Sequence, residues 1–180
     1  TQMTEETTNS VIENVASLNS SAMLVELNIS KWDARTLDKD AAIEVEQKNQ
    51  TAHGLANVHK KLLGHCEEHI ILKRHIGNAR NLHYSMTLPW SKSGLQLIPT
   101  SLYFKYIETM TGAENKYWEL LNSFLSVYDQ AKSDAKDKFG TLFRAENYPS
   151  LEEVKSKFRW SLTTIPLPTS GDFRVDIGNE

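Results

Sequence analysis

All six histidines of this chain lie between residues 53 and 83, and two of them have a spacing suited to metal chemistry. His65 and His69 are four residues apart, which would place both rings on one face of a helix. Such a pair can bind zinc when another element supplies further ligands, so a metal-dependent enzyme is one alternative function. The string His65-Cys-Glu-Glu-His69 lacks the glutamate that directly follows the first histidine in zinc proteases.

Two other interpretations compete for this histidine pair. Both rings can be hydrogen-bonded members of a helix–helix seam, where polar groups commonly fix the register. They can also act as a protonation switch near neutral pH. We favour the seam, because two ligands alone do not make a metal site, and we predict no bound metal at His65 and His69 and no cofactor.

The single cysteine, Cys66, excludes an intramolecular disulfide and a multi-cysteine zinc module within one chain. It falls near the apolar face of its segment, so we expect a buried, unreactive thiol rather than a nucleophile. The sequence contains no Gly-x-Ser-x-Gly elbow and no glycine-rich phosphate-binding loop. These observations favour a non-enzymatic protein.

The middle of the chain is basic within an acidic protein. Residues 51–100 carry six basic and two acidic residues, whereas the whole chain of 180 residues has a net charge of −3. Nucleic-acid binding through this segment is a second alternative, although Glu67-Glu68 interrupt the basic residues and the net charge argues against it. The residues that would contact phosphates are Lys60, Lys61, Lys73, Arg74 and Arg80.

Hydrophobic periodicity predicts the elements that must position these side chains. Alternation over 23–30 predicts a half-buried strand, and Asp38 is suited to cap a short helix that ends near Asn49. From Gly54 to Met86 a seven-residue repeat predicts one long helix with a narrow seam. Its ten seam positions, seven of them apolar, are Leu55, Val58, Leu62, His65, His69, Leu72, Ile76, Ala79, His83 and Met86.

Further helices are expected after residue 99. The pattern predicts a helix over 100–111, a break at Gly112 and a second long helix over 113–139, with Gly140 just past its end. Ser150 and Glu153 form a capping-box pattern for a short helix. Alternation at 158–165 and at 172–177 then predicts a hairpin, which the N-terminal strand should join in one sheet.

We therefore predict an α+β protein in which a long antiparallel helical pair packs with a small antiparallel sheet formed by the N-terminal and C-terminal strands. Residues 1–20 are expected to be a flexible segment, and 21–180 a single domain with a helical middle at 53–140. No stretch approaches the roughly 20 apolar residues of a membrane span, and no signal peptide is evident, so we expect a cytoplasmic protein.

Several apolar side chains lie outside the predicted helical stripes and need cover from elsewhere. Two helices and one sheet cannot bury all of them, so we expect a partner, most simply a second copy of the chain. The alternative is that 100–111 and 142–157 fold back over them. Trp90 lies in an aromatic, proline-bounded loop that is either a binding tip or a packed connection. The partner-binding candidates are Leu63, Ile70, Ile71, Trp90, Trp118 and Leu125.

Four strings together resemble a family of uncharacterised tailed-bacteriophage proteins without an assigned activity. They are Leu27-Asn-Ile-Ser-Lys-Trp-Asp-Ala-Arg35, Thr87-Leu-Pro-Trp90, Gly94-Leu-Gln-Leu-Ile-Pro99 and Gly171-Asp-Phe-Arg-Val-Asp-Ile-Gly178. The resemblance implies a phage-encoded interaction, assembly or adaptor module in the host cytoplasm. It also implies a phage or host protein partner, with an AAA+ ATPase among the candidates, and it transfers no catalytic residue.

Overall fold

The computed structural model describes residues 21–50, 54 and 58–167. Within them the chain forms an α+β fold with four helices and a four-stranded antiparallel sheet, as the sequence predicted. The helices are α1 (Lys39–Asn49), α2 (Glu67–Ser85), α3 (Thr100–Phe139) and α4 (Leu151–Ser156). The strands are β1 (Ala22–Ser30), β2 (Arg35–Leu37), β3 (His59–Lys61), β4 (Leu88–Pro89), β5 (Gln96–Pro99) and β6 (Arg159–Pro166).

The chain divides into two compact units. The first unit comprises Thr1–Asn28, Asn78–Glu114 and Trp160–Glu180, and the second comprises Ile29–Gly77 and Asn115–Arg159. Residues 1–20, 51–53, 55–57 and 168–180 lie outside the described part of the chain. Two expectations fall there, the flexible segment 1–20 and the strand 172–177.

The first unit contains the four-stranded sheet, in the order β4-β5-β1-β6. Strands β1 and β5 are antiparallel, with Met23 opposite Ile98. The N-terminal strand therefore lies between β5 and the C-terminal strand β6, which confirms the predicted pairing. On its β5 side, β1 is paired over Ala22–Val25, which satisfies backbone donors and acceptors there.

Both faces of this sheet carry apolar side chains. On one face Val25 and Ile98 pack with Tyr106 and Met110 from the first half of α3, and all four are inaccessible to solvent. On the other face Ala22 and Leu24 form a separate cluster with Leu167. Strand β1 contributes to both clusters and is one of the two inner strands of the sheet.

The second unit contains the β2–β3 ribbon, α1, α4 and the parts of α2 and α3 that pack against each other. His65 contacts Ala131, and His69 contacts Phe124. Residues further along the chain from His65 into α2 therefore contact residues nearer the start of α3. The two helices are therefore antiparallel, as predicted. Tyr148 donates a hydrogen bond to the carbonyl of Leu62 at 3.0 Å, which ties the segment after α3 to the segment before α2.

The seam predicted for the first long helix is confirmed where the helix exists. Five of the predicted seam side chains on α2 are buried, namely His69, Leu72, Ile76, Ala79 and His83, and Leu62, which precedes the helix, is buried as well. The predicted start of this helix is wrong, because α2 begins at Glu67 and residues 59–61 form strand β3 instead. The amide of Leu62 donates to the carbonyl of Ala34 at 2.8 Å, so this segment continues the ribbon into a turn before α2.

The break predicted at Gly112 is also wrong, because α3 continues without interruption from Thr100 to Phe139. A glycine inside a helix costs only about 1 kcal/mol relative to alanine. Burial of Met110 on one side and Tyr117 on the other is worth more than that. Capping is as predicted: Asp38 accepts from the Ala41 amide, and Gly140 follows α3 with a φ of +55°.

None of the helices in the described residues combines the length and apolar character needed to cross a bilayer.

Candidate functional site

A basic pocket in the second unit collects several of the residues that the sequence singled out. It lies between the β2–β3 ribbon and the first turns of α2 and has a volume of about 220 Å³. Its floor includes Ala34, a non-glycine residue held at a φ of +50°. We call it the basic pocket, and its lining residues are Asp33, Ala34, Arg35, Lys61, Leu63, Gly64, His69, Ile70 and Lys73.

Two cations face each other across the ribbon. Arg35 and Lys61 are directly opposite in the antiparallel register of β2 and β3. Opposite residues on a two-stranded ribbon have Cβ atoms about 4.5–5.5 Å apart, and like charges in that position repel. Neither residue has a salt-bridge partner within the part of the chain that the structure describes.

The one carboxylate of the basic pocket, Asp33, is already engaged by lysines. Its Oδ1 lies 2.9 Å from Nζ of Lys31 and 3.5 Å from Nζ of Lys73. The hydrogen bond from Lys31, with the charges of both lysines, lowers the pKa of Asp33 despite partial burial. The carboxylate is therefore ionised at neutral pH, and its charge is offset by two cations.

His69 lies at the inner side of the same pocket and is 4% exposed. Its Nε2 is 2.9 Å from the carbonyl oxygen of Trp32, and since a carbonyl only accepts, Nε2 carries the proton and donates. The ring also packs against Phe124 at a centroid distance of 5.0 Å. Burial lowers the pKa of His69, so the ring is neutral at neutral pH.

The metal alternative receives no support from this geometry. His65 lies in the turn before α2 rather than on the helix, and its Nε2 donates to the carbonyl of Ala131 at 3.1 Å. The Nε2 atoms of both histidines therefore lack a free lone pair for a metal ion. In the described part of the chain, no group of three or more His, Cys, Asp or Glu side chains is placed to hold one.

The five basic residues of the nucleic-acid alternative do not lie together. Lys61 and Lys73 line the basic pocket, and Arg74 is exposed on α2 without lining it. Lys60 is directed elsewhere, with Nζ 2.9 Å from the carbonyl of Leu142 and 4.1 Å from the ring centroid of Phe139. Arg80 belongs to the other unit. Sequence reasoning missed Arg35, because nothing in the local pattern shows that β2 pairs with β3.

The partner-binding candidates separate by burial. Leu63 is 2% exposed and is therefore part of the interior of the second unit, which corrects its assignment to a binding surface. Ile70 and Leu125 are half-buried. The remaining three are exposed by about two-fifths, and they are Ile71, Trp90 and Trp118.

The most exposed apolar side chain of the first unit lies on α3, and others lie on the hairpin before it. Phe104, in the first turns of α3, is 81% exposed, and Leu88 on β4 is 60% exposed. Leu88 pairs with Leu97 in the β4–β5 hairpin, and β5 runs directly into α3. Trp90, just after β4, is 39% exposed, whereas the exposed Leu102 faces a different side of α3 from Phe104 because the two are two residues apart on the helix. We define the apolar surface as the exposed side chains of Leu88, Trp90 and Phe104.

Sequence reasoning identified Trp90 in this surface but missed Phe104. The signal that could have found it is its position beside, rather than on, the stripe of Tyr103, Tyr106 and Met110 that packs on the sheet. A phenylalanine off the buried stripe of an amphipathic helix points to solvent.

Comparison of the chain with protein-family models, with curated proteins and with solved structures found no match. The resemblance to tailed-bacteriophage proteins therefore stays a prediction from the sequence.

Proposed function

We propose that this protein is a non-enzymatic protein-interaction module that associates with a second copy of itself through the apolar surface of its first unit. The observation that carries the proposal is the exposure of Phe104, which is 81% accessible on a regular helix. A phenylalanine gains about 1.5–3 kcal/mol from full burial. In one isolated chain that gain is not realised, and a partner would supply it.

Two other exposed apolar side chains of the first unit, Leu88 and Trp90, lie on the hairpin segment that leads into α3. Leu102 precedes Phe104 by two residues, so it lies on the opposite side of the buried stripe of α3. Exposed apolar side chains that are scattered singly need no explanation, but a group with polar margins is typical of an interaction site. Aromatic anchors such as Phe104 and Trp90 are also the side chains most enriched in interface cores.

The charges beside Phe104 favour a second copy as the partner. Lys105 and Glu108 are both exposed and lie within the helical turn that follows Phe104. In a two-fold symmetric interface each residue of one copy meets the residues of the same patch on the other. A margin that carries one cation and one anion can therefore pair with itself, whereas a margin of one sign would repel its copy.

The wider role of the module follows, in our proposal, from the phage resemblance. A self-associating module of this kind would act as an assembly or adaptor component in the host cytoplasm. A further phage or host protein, with an AAA+ ATPase as one candidate, would then bind the assembled form.

Solution mass tests this proposal. By light scattering at micromolar concentrations we expect twice the chain mass of 20.5 kDa for the unmodified chain. Phe104→Gln should give the single-chain mass with an unchanged circular dichroism spectrum. Leu142→Gln is the matched control, because Leu142 is 63% exposed in the second unit, and it should stay dimeric. A monomeric unmodified chain, or a dimer insensitive to Phe104→Gln, would overturn the proposal.

A further inference from the structure

We propose that the basic pocket of the second unit binds a small phosphate dianion between Arg35 and Lys61 of the ribbon and Lys73 of α2. This inference is independent of the self-association proposed above, because it concerns a different unit and different residues. The ligand is either free inorganic phosphate or the terminal phosphate of a small molecule, and the two share the same recognition chemistry.

Two cations, Arg35 and Lys61, are paired across the ribbon without a counter-ion in the described residues. Arg35 and Lys61 are opposite each other in the β2–β3 register, where like charges are unfavourable. Both also line the same cavity, so their charges act on the same volume. A dianion between them would give each cation a partner and turn a repulsive pair into two attractive ones. Arginine and lysine are the side chains that proteins use for phosphate, the first as a two-pronged donor and the second as a point charge.

The charges that line the cavity also favour an anion. Three lysine and arginine side chains and one carboxylate line it, so its lining carries a net positive charge. That carboxylate, Asp33, is paired with Lys31 and Lys73, and its negative charge is therefore offset before an anion arrives. A concave site with one dominant sign of charge concentrates ions of the opposite sign.

The volume of the basic pocket and the fixed positions of its strand backbones also favour a phosphate dianion. A volume of about 220 Å³ lies below the roughly 300–1,000 Å³ of pockets for drug-sized ligands, so a single tetrahedral anion suits it better than a nucleotide. The hydrogen bond from the Leu62 amide to the Ala34 carbonyl, at 2.8 Å, joins the two segments that carry Arg35 and Lys61. The backbones that carry the two cations are thus fixed relative to each other before binding, which reduces the entropy cost.

Thermal unfolding of the full chain with added sodium phosphate tests the proposal. Sodium chloride at the same ionic strength serves as the reference, since it screens charges without filling the site. With phosphate at about ten times its Kd, we expect the Tm to rise by about 3–5 °C above the reference. Titration calorimetry with phosphate and with adenosine monophosphate then distinguishes a free anion from the phosphate of a small molecule.

The double variant Arg35→Gln/Lys61→Gln should lower phosphate affinity at least tenfold. In phosphate-free buffer it should be at least as stable as the unmodified chain, because the variant removes the repulsion. The control Arg74→Gln/Lys132→Gln removes the same charge from the same unit outside the pocket and should retain the phosphate effect. The stability of the double variant in phosphate-free buffer tests the predicted repulsion even if phosphate binds weakly.

Three outcomes would overturn the proposal. One is a Tm that responds equally to phosphate and to sodium chloride. Another is a phosphate effect that survives in the Arg35→Gln/Lys61→Gln variant, which would place the anion elsewhere. The third is salt-dependent binding of a DNA or RNA oligonucleotide without binding of phosphate, which would assign the cations to a nucleic-acid backbone instead.

Discussion

Nδ1 of His83 lies 2.6 Å from the hydroxyl oxygen of Tyr106, and both side chains are buried in the first unit. The pair continues into a chain of polar contacts. Thr87 donates through Oγ1 to the carbonyl of His83 at 2.9 Å, and Gln96 donates through Nε2 to Thr87 at 3.1 Å. These contacts connect the end of α2, strand β5 and helix α3. His83, at a predicted seam position, therefore belongs to a hydrogen-bond network that connects three elements.

Removal of the Tyr106 hydroxyl tests how much its hydrogen bond with His83 contributes to the free energy of unfolding. Tyr106→Phe leaves Nδ1 of His83 buried without its partner, and such a group costs about 1–3 kcal/mol. We expect the free energy of unfolding to fall by that amount in urea titrations. Tyr84→Phe is the control, because Tyr84 is exposed on α2 and its variant should change stability by less than about 0.5 kcal/mol. Equal losses in the two variants would contradict the assignment.

The two buried histidines predict loss of stability on acidification. Burial lowers the pKa of both His69 and His83 below the ordinary value of 6.5. In the unfolded chain both rings bind protons as the pH falls through about 6.5, while the folded chain still excludes them. Their contribution to stability is therefore complete above about pH 7 and declines as the pH falls from 6.5 towards the lowered values of the folded state.

Urea unfolding at a series of pH values between about 7.5 and 5 measures this effect. The free energy of unfolding should decrease steadily over that interval. In His69→Gln and His83→Gln the decrease should be shallower than in the unmodified chain, whatever the absolute stability of each variant. A slope that neither substitution changes would show that other groups cause the pH dependence.

Two glycines around α3 should respond in opposite directions to alanine. Gly112 lies inside the helix with nothing within 4 Å of an added Cβ, so Gly112→Ala should raise the free energy of unfolding by about 0.5–1 kcal/mol. Gly140 has a φ of +55°, so Gly140→Ala should lower it by about 1–2 kcal/mol. Chemical denaturation of both variants provides the comparison. Destabilisation by Gly112→Ala would indicate a broken helix at that position.

Cys66 should be protected from thiol reagents in the folded protein. The side chain is 5% exposed, and burial raises the pKa of its thiol. Because the thiolate is the reactive form, modification by a chromogenic disulfide at neutral pH should be slow and should accelerate on addition of denaturant. The labelling rate then reports the opening of the turn before α2. Rapid stoichiometric labelling under native conditions would argue that this turn opens readily.

Helix caps and alternating patterns are set by residues close together in the chain, so they could be predicted from the sequence. Asp38 caps α1, Ser150 accepts from the Glu153 amide at the start of α4, and alternation over 23–30 gave strand β1. The seven-residue repeat also identified His69 and His83 as seam residues. Caps and periodicity act over a few residues, so the types of those residues are enough to reveal them.

The candidate site was predictable only in part, since its residues come together through long-range pairing. Lys61 and Lys73 stood out as cations, but their neighbour Arg35 is 26 residues away from Lys61, and only the β2–β3 register makes the two opposite. A three-residue strand has too little pattern of its own, and burial elsewhere decides whether it pairs. Phe104 shows the same limit, because its exposure depends on which stripe of α3 packs on the sheet.

The sequence by itself thus determined the α+β class, the helix caps and the buried stripes, because these follow from contacts between residues close in the chain. Tertiary structure decided the start of α2, the continuity of α3 through Gly112 and the meeting of Arg35 with Lys61. At Gly112 a local preference of about 1 kcal/mol was outweighed by burial of the side chains on either side of it, and pairing of β2 with the distant β3 set the other two. Those energies belong to the folded arrangement and cannot be read from any single segment.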